Sequence, residues 1–160
     1  MRDTRRIAEQ QGLPYRWPRP DPVVQNLATR EIEAEQPHIW RLCRLGIEAE
    51  DRGRGLAFVD EVSKVIWDGT VDGWNEGHHL AQAAERAGLD LAELESVIEG
   101  REEQLDRRLA EHDDLLEAAG HWGVPTMVFE GEPFFGQDRL DLLEWRIEQR
   151  GVPRREAEAR

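Results

Sequence analysis

The sequence is poor in thiol: Cys43 is the one cysteine in 160 residues. A disulfide framework and a Cys-x-x-Cys redox pair are therefore both excluded within the chain. A zinc pattern is missing as well. His78 and His79 follow Glu76, and His112 and His121 stand apart, but no His-Glu-x-x-His or Cys/His spacing occurs. These histidines are expected near helix ends, facing solvent. No apolar run is long enough to cross a bilayer, and no basic start with an apolar core marks a signal peptide. Positive charge is scarce. Against 34 Asp and Glu stand 21 Lys and Arg, giving a formal net charge of −13. Nothing here could neutralise a run of phosphates, which argues against nucleic acid as a partner. No repeat with a period of about 20–50 residues is seen, so a solenoid is not expected. The expectation is a soluble, helix-rich, cytoplasmic protein of one domain, without nucleic-acid or membrane partners.

What is present is concentrated near the C-terminal end. Gly123, Val124, Pro125 and Thr126 precede Met127, Val128 and Phe129, which are apolar at every position. Such a run predicts a strand buried on both faces. Glu130 and Gly131 supply a polar turn with a glycine able to take positive φ. Pro133 cannot donate to a ladder and places the second strand near an edge. A trans Pro125 opening the strand is the commoner arrangement. A cis Val124–Pro125 bond costs only about 0.5–1 kcal/mol, and would leave the Val124 backbone unpaired and exposed. Leu140, Leu143 and Ile147, widened by Leu142 and Trp145, then form a helical stripe. Gln137 or Asp138 stands where a side chain caps free amides, and Gly151 and Pro153 stop the helix.

Upstream, residues 3–11 predict a helix ended by Gly12 and Pro14. Three alternating prolines, Pro18, Pro20 and Pro22, force extended backbone. They suit a structured connector with Trp17 packed on the core, or a recognition segment for a proline-binding partner. Residues 23–50 are expected to be helical, with Pro37 as a break or first-turn residue, and with Trp40, Cys43 and Ile47 on one face and Leu42 and Leu45 as further candidates for it. A buried structural thiol on that helix is the expectation for Cys43. Residues 56–67 predict a helix with Leu56, Val59, Val62 or Ser63, and Ile66 inward. Further helices are expected over 80–87 and from Asp90, capped with Glu93, to about 119, divided at Gly100. Leu105, Leu109 and Leu116 form the stripe of the last portion. Residues 154–160 read as a frayed charged tail.

Gly-Val-Pro-Thr, an apolar strand, a glycine turn and the run Phe134, Phe135, Gly136, Gln137, Asp138, Arg139, Leu140 resemble the C-terminal half of the 2-hydroxychromene-2-carboxylate isomerases. Those enzymes group with the kappa-class glutathione transferases among DsbA-like thioredoxin-fold proteins. The resemblance extends back to about Arg2. It implies an α/β, mostly helical fold: a thioredoxin-like ββα segment over 120–152, an all-helical insertion over 23–119, a helix and connector over 1–22, and a tail over 153–160. It also implies that the N-terminal βαβ unit, with the serine that activates the glutathione thiol, lies upstream of the matching segment. None of Thr4, Ser63, Thr70 or Ser96 has the context for that role.

By the same resemblance, the Val124–Pro125 bond is expected to be cis, and Val124, Pro125, Gln137 and Asp138 hold glutathione, against the alternative that Gln137 and Asp138 are only helix caps. A strand-like edge, a helix start that accepts a carboxylate and an acid that accepts an ammonium suit its peptide-like and γ-glutamyl parts. Trp67 and Trp74 are weaker candidates for an aromatic substrate pocket; tryptophan is more often core. The first expectation is a glutathione-dependent isomerase or transferase acting on a small aromatic or unsaturated carbonyl substrate. The second is a catalytically incomplete or partner-completed binding protein, with a homodimer or another chain covering the sheet. The third, disfavoured by the single cysteine, is a DsbA-like disulfide oxidoreductase.

Overall fold

The computed structural model describes residues 2–29 and 31–153. Met1 and the expected tail from residue 154 onward lie outside them. Contacts divide the chain into two units, Met1–Asp106 and Arg107–Arg160.

The first unit begins with α1, Arg2–Gln11, ended by Gly12 in the left-handed conformation that glycine alone takes without steric cost. The proline segment is a structured connector, as one of the two sequence expectations had it. Tyr15 stacks on Trp67 and Trp17 meets it edge-on, with centroids 6.1 and 5.3 Å away. Prolines lack N–H groups but keep carbonyls, and the loop at 68–74 uses the segment's acceptors. Gly73 N–H donates to the Arg19 carbonyl and Trp74 Nε1–H to that of Pro20, both at 2.7 Å.

The helix expected over 23–50 forms only in its second part, as α2, Pro37–Asp51. Ahead of it, Asn26 N–H donates to Glu31 and Glu33 N–H to Val24, around an antiparallel bridge between Gln25 and Ile32. Asp21 and Asn26 side chains accept nearby backbone N–H groups. Such side chains compete with helical bonding, which is why apolar spacing alone misled here. The Gln36 amide exchanges two hydrogen bonds with the Val24 backbone, at 2.9 and 2.7 Å. Pro37 then opens the helix, where its missing N–H costs nothing.

Four helices pack on one another: α2, α3 (Gly55–Trp67), α4 (His79–Arg86) and α5 (Leu91–Ile98). Their core contains Leu45, Ala49, Phe58, Val62, Ile66, Trp74, Leu80 and Leu94. Two expected faces need correction. On α3, Leu56 is 87% exposed and Val59 55%, whereas Phe58 is buried. At about 100° per residue, Phe58 lies about 40° from Val62 around the helix and Leu56 about 120°. On α2, Leu45, Ile47 and Ala49 are buried, Trp40 is exposed and Cys43 is half-buried. Asp90 caps α5 by accepting the Glu93 N–H at 2.9 Å, as its position predicts. Gly100 separates α5 from α6, Glu102–Ala118, whose Leu105 is fully buried.

Charged side chains join the helices. Arg44 holds Asp106 through two bonds of 2.7 Å, and Arg41 pairs with Glu95. The first is a bidentate contact, which fixes orientation as well as charge.

In the second unit, β1 (Thr126–Phe129) pairs antiparallel with β2 (Glu132–Phe135), Val128 facing Pro133. Glu130 and Gly131 both take positive φ, 50° and 83°, the geometry that matches strand twist in a two-residue hairpin. A 3₁₀ turn, Gln137–Arg139, leads into α7, Leu140–Gln149. Glu132 and Glu130 pair with Arg146 and Arg150 of this segment, at 3.0 and 2.8 Å. The expectation that residues 127–129 are buried on both faces is overturned: Val128 is 51% exposed, and Met127 and Phe129 are half-buried. The sheet has only two strands among the described residues, too few to bury the run.

Candidate functional site

Four of the sequence-selected residues come together around the hairpin. Val124–Pro125 is a cis peptide, the alternative singled out from the sequence. Gly136 N–H donates to the Pro125 carbonyl at 2.9 Å, so the ladder runs one pair past the strands and brings residues 124–125 and 136–138 side by side.

The register determines which backbone groups stay open. Antiparallel pairs alternate between those that exchange hydrogen bonds and those that do not. Pro133 has no N–H, so Val128 and Pro133 form a pair of the second kind. Bonds then belong to Met127 with Phe134 and to Phe129 with Glu132, in step with the Gly136–Pro125 bond. The backbone groups of Val124, Thr126 and Val128 consequently point away from β2. Val124 itself is 79% exposed, and its N–H and carbonyl take no partner among the described residues. An extended peptide can add to such an edge as a further strand.

The other side of the site is built on Gly136, whose φ of 92° suits glycine. A Cβ there would meet Asp138 Oδ1 at 2.6 Å, so the Asp138 carboxylate folds back over this glycine. The Asp138 side chain is 72% exposed, and Arg139 stands 3.5 Å away. Neither Gln137 nor Asp138 makes a side-chain cap, and the α-helix begins two residues later than expected, at Leu140. The cap alternative therefore does not account for them. Backbone N–H groups at the start of this helical segment remain available to an anion.

Gly123 is buried between rings. A Cβ there would lie 2.6 Å from Phe135 and 3.1 Å from His121. His121, expected to face solvent, is instead half-buried, stacked on Phe135 with centroids 3.9 Å apart. Sequence reasoning missed it because its partner lies across the hairpin; the aromatic at 135 and the glycine at 123 were the available signals.

Trp67 and Trp74 belong to the first unit. Trp74 is 1% exposed, in the helical core beside His38, and Trp67 completes the ring cluster with Tyr15 and Trp17. Among the described residues no three His, Cys, Asp or Glu side chains converge as a metal site, and no helix is long and apolar enough to cross a membrane.

Comparison with curated proteins and with solved structures finds no match. A family model does match, over residues 1–148: the DSBA-like thioredoxin domain. Its span covers the helical part, the cis-proline hairpin and nearly all of α7. The mostly helical α/β architecture with its ββα end agrees with it, and the chain belongs to the DSBA-like thioredoxin domain family.

Proposed function

We propose that the hairpin site holds a thiol peptide, glutathione, for isomerisation or conjugation of a small aromatic or unsaturated carbonyl compound. The observation that carries this is the open backbone of Val124 next to the Gly136–Asp138 turn. The cysteinyl part of glutathione would pair with the Val124 N–H and carbonyl as a short strand. Its γ-glutamyl carboxylate would take the N–H groups near Gln137, and its ammonium the exposed Asp138 carboxylate. In the isomerisation, the thiolate adds to the unsaturated carbon, rotation follows about the resulting single bond, and elimination releases the thiolate again; in the conjugation the enolate is protonated and the C–S bond is kept. The assigned residues bind and orient. The residue that activates the thiol is not assigned. Calorimetric titration tests the site: glutathione should bind, cysteinylglycine, which lacks the γ-glutamyl group, should bind at least tenfold more weakly, and equal affinities would refute the assignment.

A second reading is a partner-completed binding protein. The outward edge of β1 and the 51% exposure of Val128 favour it, because an open apolar edge invites another strand.

A further inference from the structure

The two polar groups of the Gly123 backbone are both held by side chains. Its N–H donates to His121 Nδ1 at 2.9 Å, and its carbonyl accepts from Thr126 Oγ1 at 2.6 Å. Glycine has the widest conformational freedom of any residue, so an unheld Gly123 would let the following residue swing. The next residue is Val124, whose backbone makes no hydrogen bond of its own among the described residues. His121 can serve as acceptor only with Nδ1 unprotonated, so its proton sits on Nε2. Its ring is held by stacking as well: it lies on Phe135 and near Trp122, at 3.9 and 5.7 Å between centroids and within 20° of parallel to both.

We infer that His121 is the positioning residue of the docking edge: as the neutral Nε2–H tautomer it fixes Gly123 and so presents the Val124 backbone to the ligand. This rests on the glutathione reading for the identity of the ligand but not for the geometry. The bond spans residue i to i+2, the pattern an asparagine side chain makes in an Asx turn. Acceptor and ring can therefore be separated. His121→Phe keeps the ring against Phe135 and removes the acceptor. His121→Asn removes the ring and keeps an acceptor at the same offset.

The experiment combines nitrogen NMR of the imidazole, amide exchange at Gly123 and glutathione titration in the full chain and both variants. The parent should show an unprotonated Nδ1. The phenylalanine variant should exchange its Gly123 amide about tenfold faster and bind glutathione about tenfold more weakly, a typical loss for one hydrogen bond. The asparagine variant should stay within about threefold of the parent in both. A protonated Nδ1, unchanged Gly123 exchange in the phenylalanine variant, or an asparagine variant as impaired as phenylalanine would each overturn the assignment. Should the parent bind no glutathione, the glutathione reading falls, and tautomer and exchange still decide the role of His121.

Discussion

Gly136 donates its N–H to the carbonyl of Pro125 at 2.9 Å, and this one bond couples the two halves of the candidate site. The residue before Pro125 and the turn after Gly136 cannot move independently while it holds. Gly136 also takes φ of 92°, and any side chain there would press on Asp138 Oδ1 at 2.6 Å. We expect Gly136→Ala to lower stability by about 1–3 kcal/mol, because φ of 92° with ψ of 154° is a backbone region essentially restricted to glycine. It should also abolish the glutathione response by displacing Asp138. Urea unfolding with and without the ligand checks both; retained binding would show that the turn and the Val124 edge are uncoupled.

Asp138→Ala separates binding from folding. The side chain is 72% exposed and forms no helix cap. Its removal should change stability by less than about 0.5 kcal/mol, as at ordinary surface positions. Loss of the acceptor for the ligand ammonium should weaken glutathione binding about tenfold or more. Thermal-shift titration decides, and equal ligand-induced shifts in parent and variant would remove Asp138 from the site.

Trp74 tests the aromatic-pocket expectation. The ring is 1% exposed and its Nε1–H donates to the Pro20 carbonyl at 2.7 Å. Trp74→Phe should cost about 2–3 kcal/mol, by leaving a cavity and orphaning that carbonyl. A substrate contact would behave differently, losing affinity while stability held.

These residues also show how far the sequence could be read. Glu130, Gly131 and Pro133 announced the hairpin because turn chemistry is local. The Asp90 cap was legible for the same reason. The face of α3 was not: Leu56 and Val59 look as apolar as Phe58, and only the packing partners choose between them. Residues 23–36 were misread because Asp21 and Asn26 divert backbone bonds that an apolar pattern cannot register. At the site, Val124, Pro125, Gln137 and Asp138 came from a motif resemblance. The clamp on Gly123 did not, since it depends on His121 and Phe135 meeting across the hairpin.

The Arg44–Asp106 pair gives a pH signature. Hydrogen bonds from Arg44 hold the Asp106 carboxyl below the usual carboxylate range, despite some opposing desolvation. A carboxyl lowered in the folded state contributes stability that is present above its unfolded pKa, near ~4, and is lost as pH falls through the folded value. The Asp106 side chain is 40% exposed, so solvent screening keeps the contribution to about 1 kcal/mol or less. Asp106→Asn should therefore be slightly less stable than the parent at pH ~7. The gap should close as pH drops below ~4. A gap constant with pH would mean that the bidentate bond is not what holds Asp106.

The last expectation follows from the open edge of β1. Val124, Thr126 and Val128 turn their N–H and carbonyl groups away from β2, whereas the outer edge of β2 is interrupted by Pro133. Two-stranded sheets are marginal in water, and an apolar open edge is a template for another strand. Antiparallel pairing of β1 with its copy is self-complementary, so one two-fold contact covers both edges. No charged residue lies within β1 to oppose it, although the net charge of −13 works against close approach at low salt. We therefore expect self-association at micromolar concentration, stronger at ~150 mM than at ~10 mM salt, where screening is weak. Val128→Pro is the discriminating variant. It removes an outward N–H while leaving every hairpin bond in place, as Pro133 already does across the ladder. Sedimentation velocity should show the parent as a dimer and the variant as a monomer with its hairpin intact by circular dichroism. A parent that stays monomeric at both salt concentrations would show that β1 does not pair with its own copy and would leave the edge to the ligand or to a different chain.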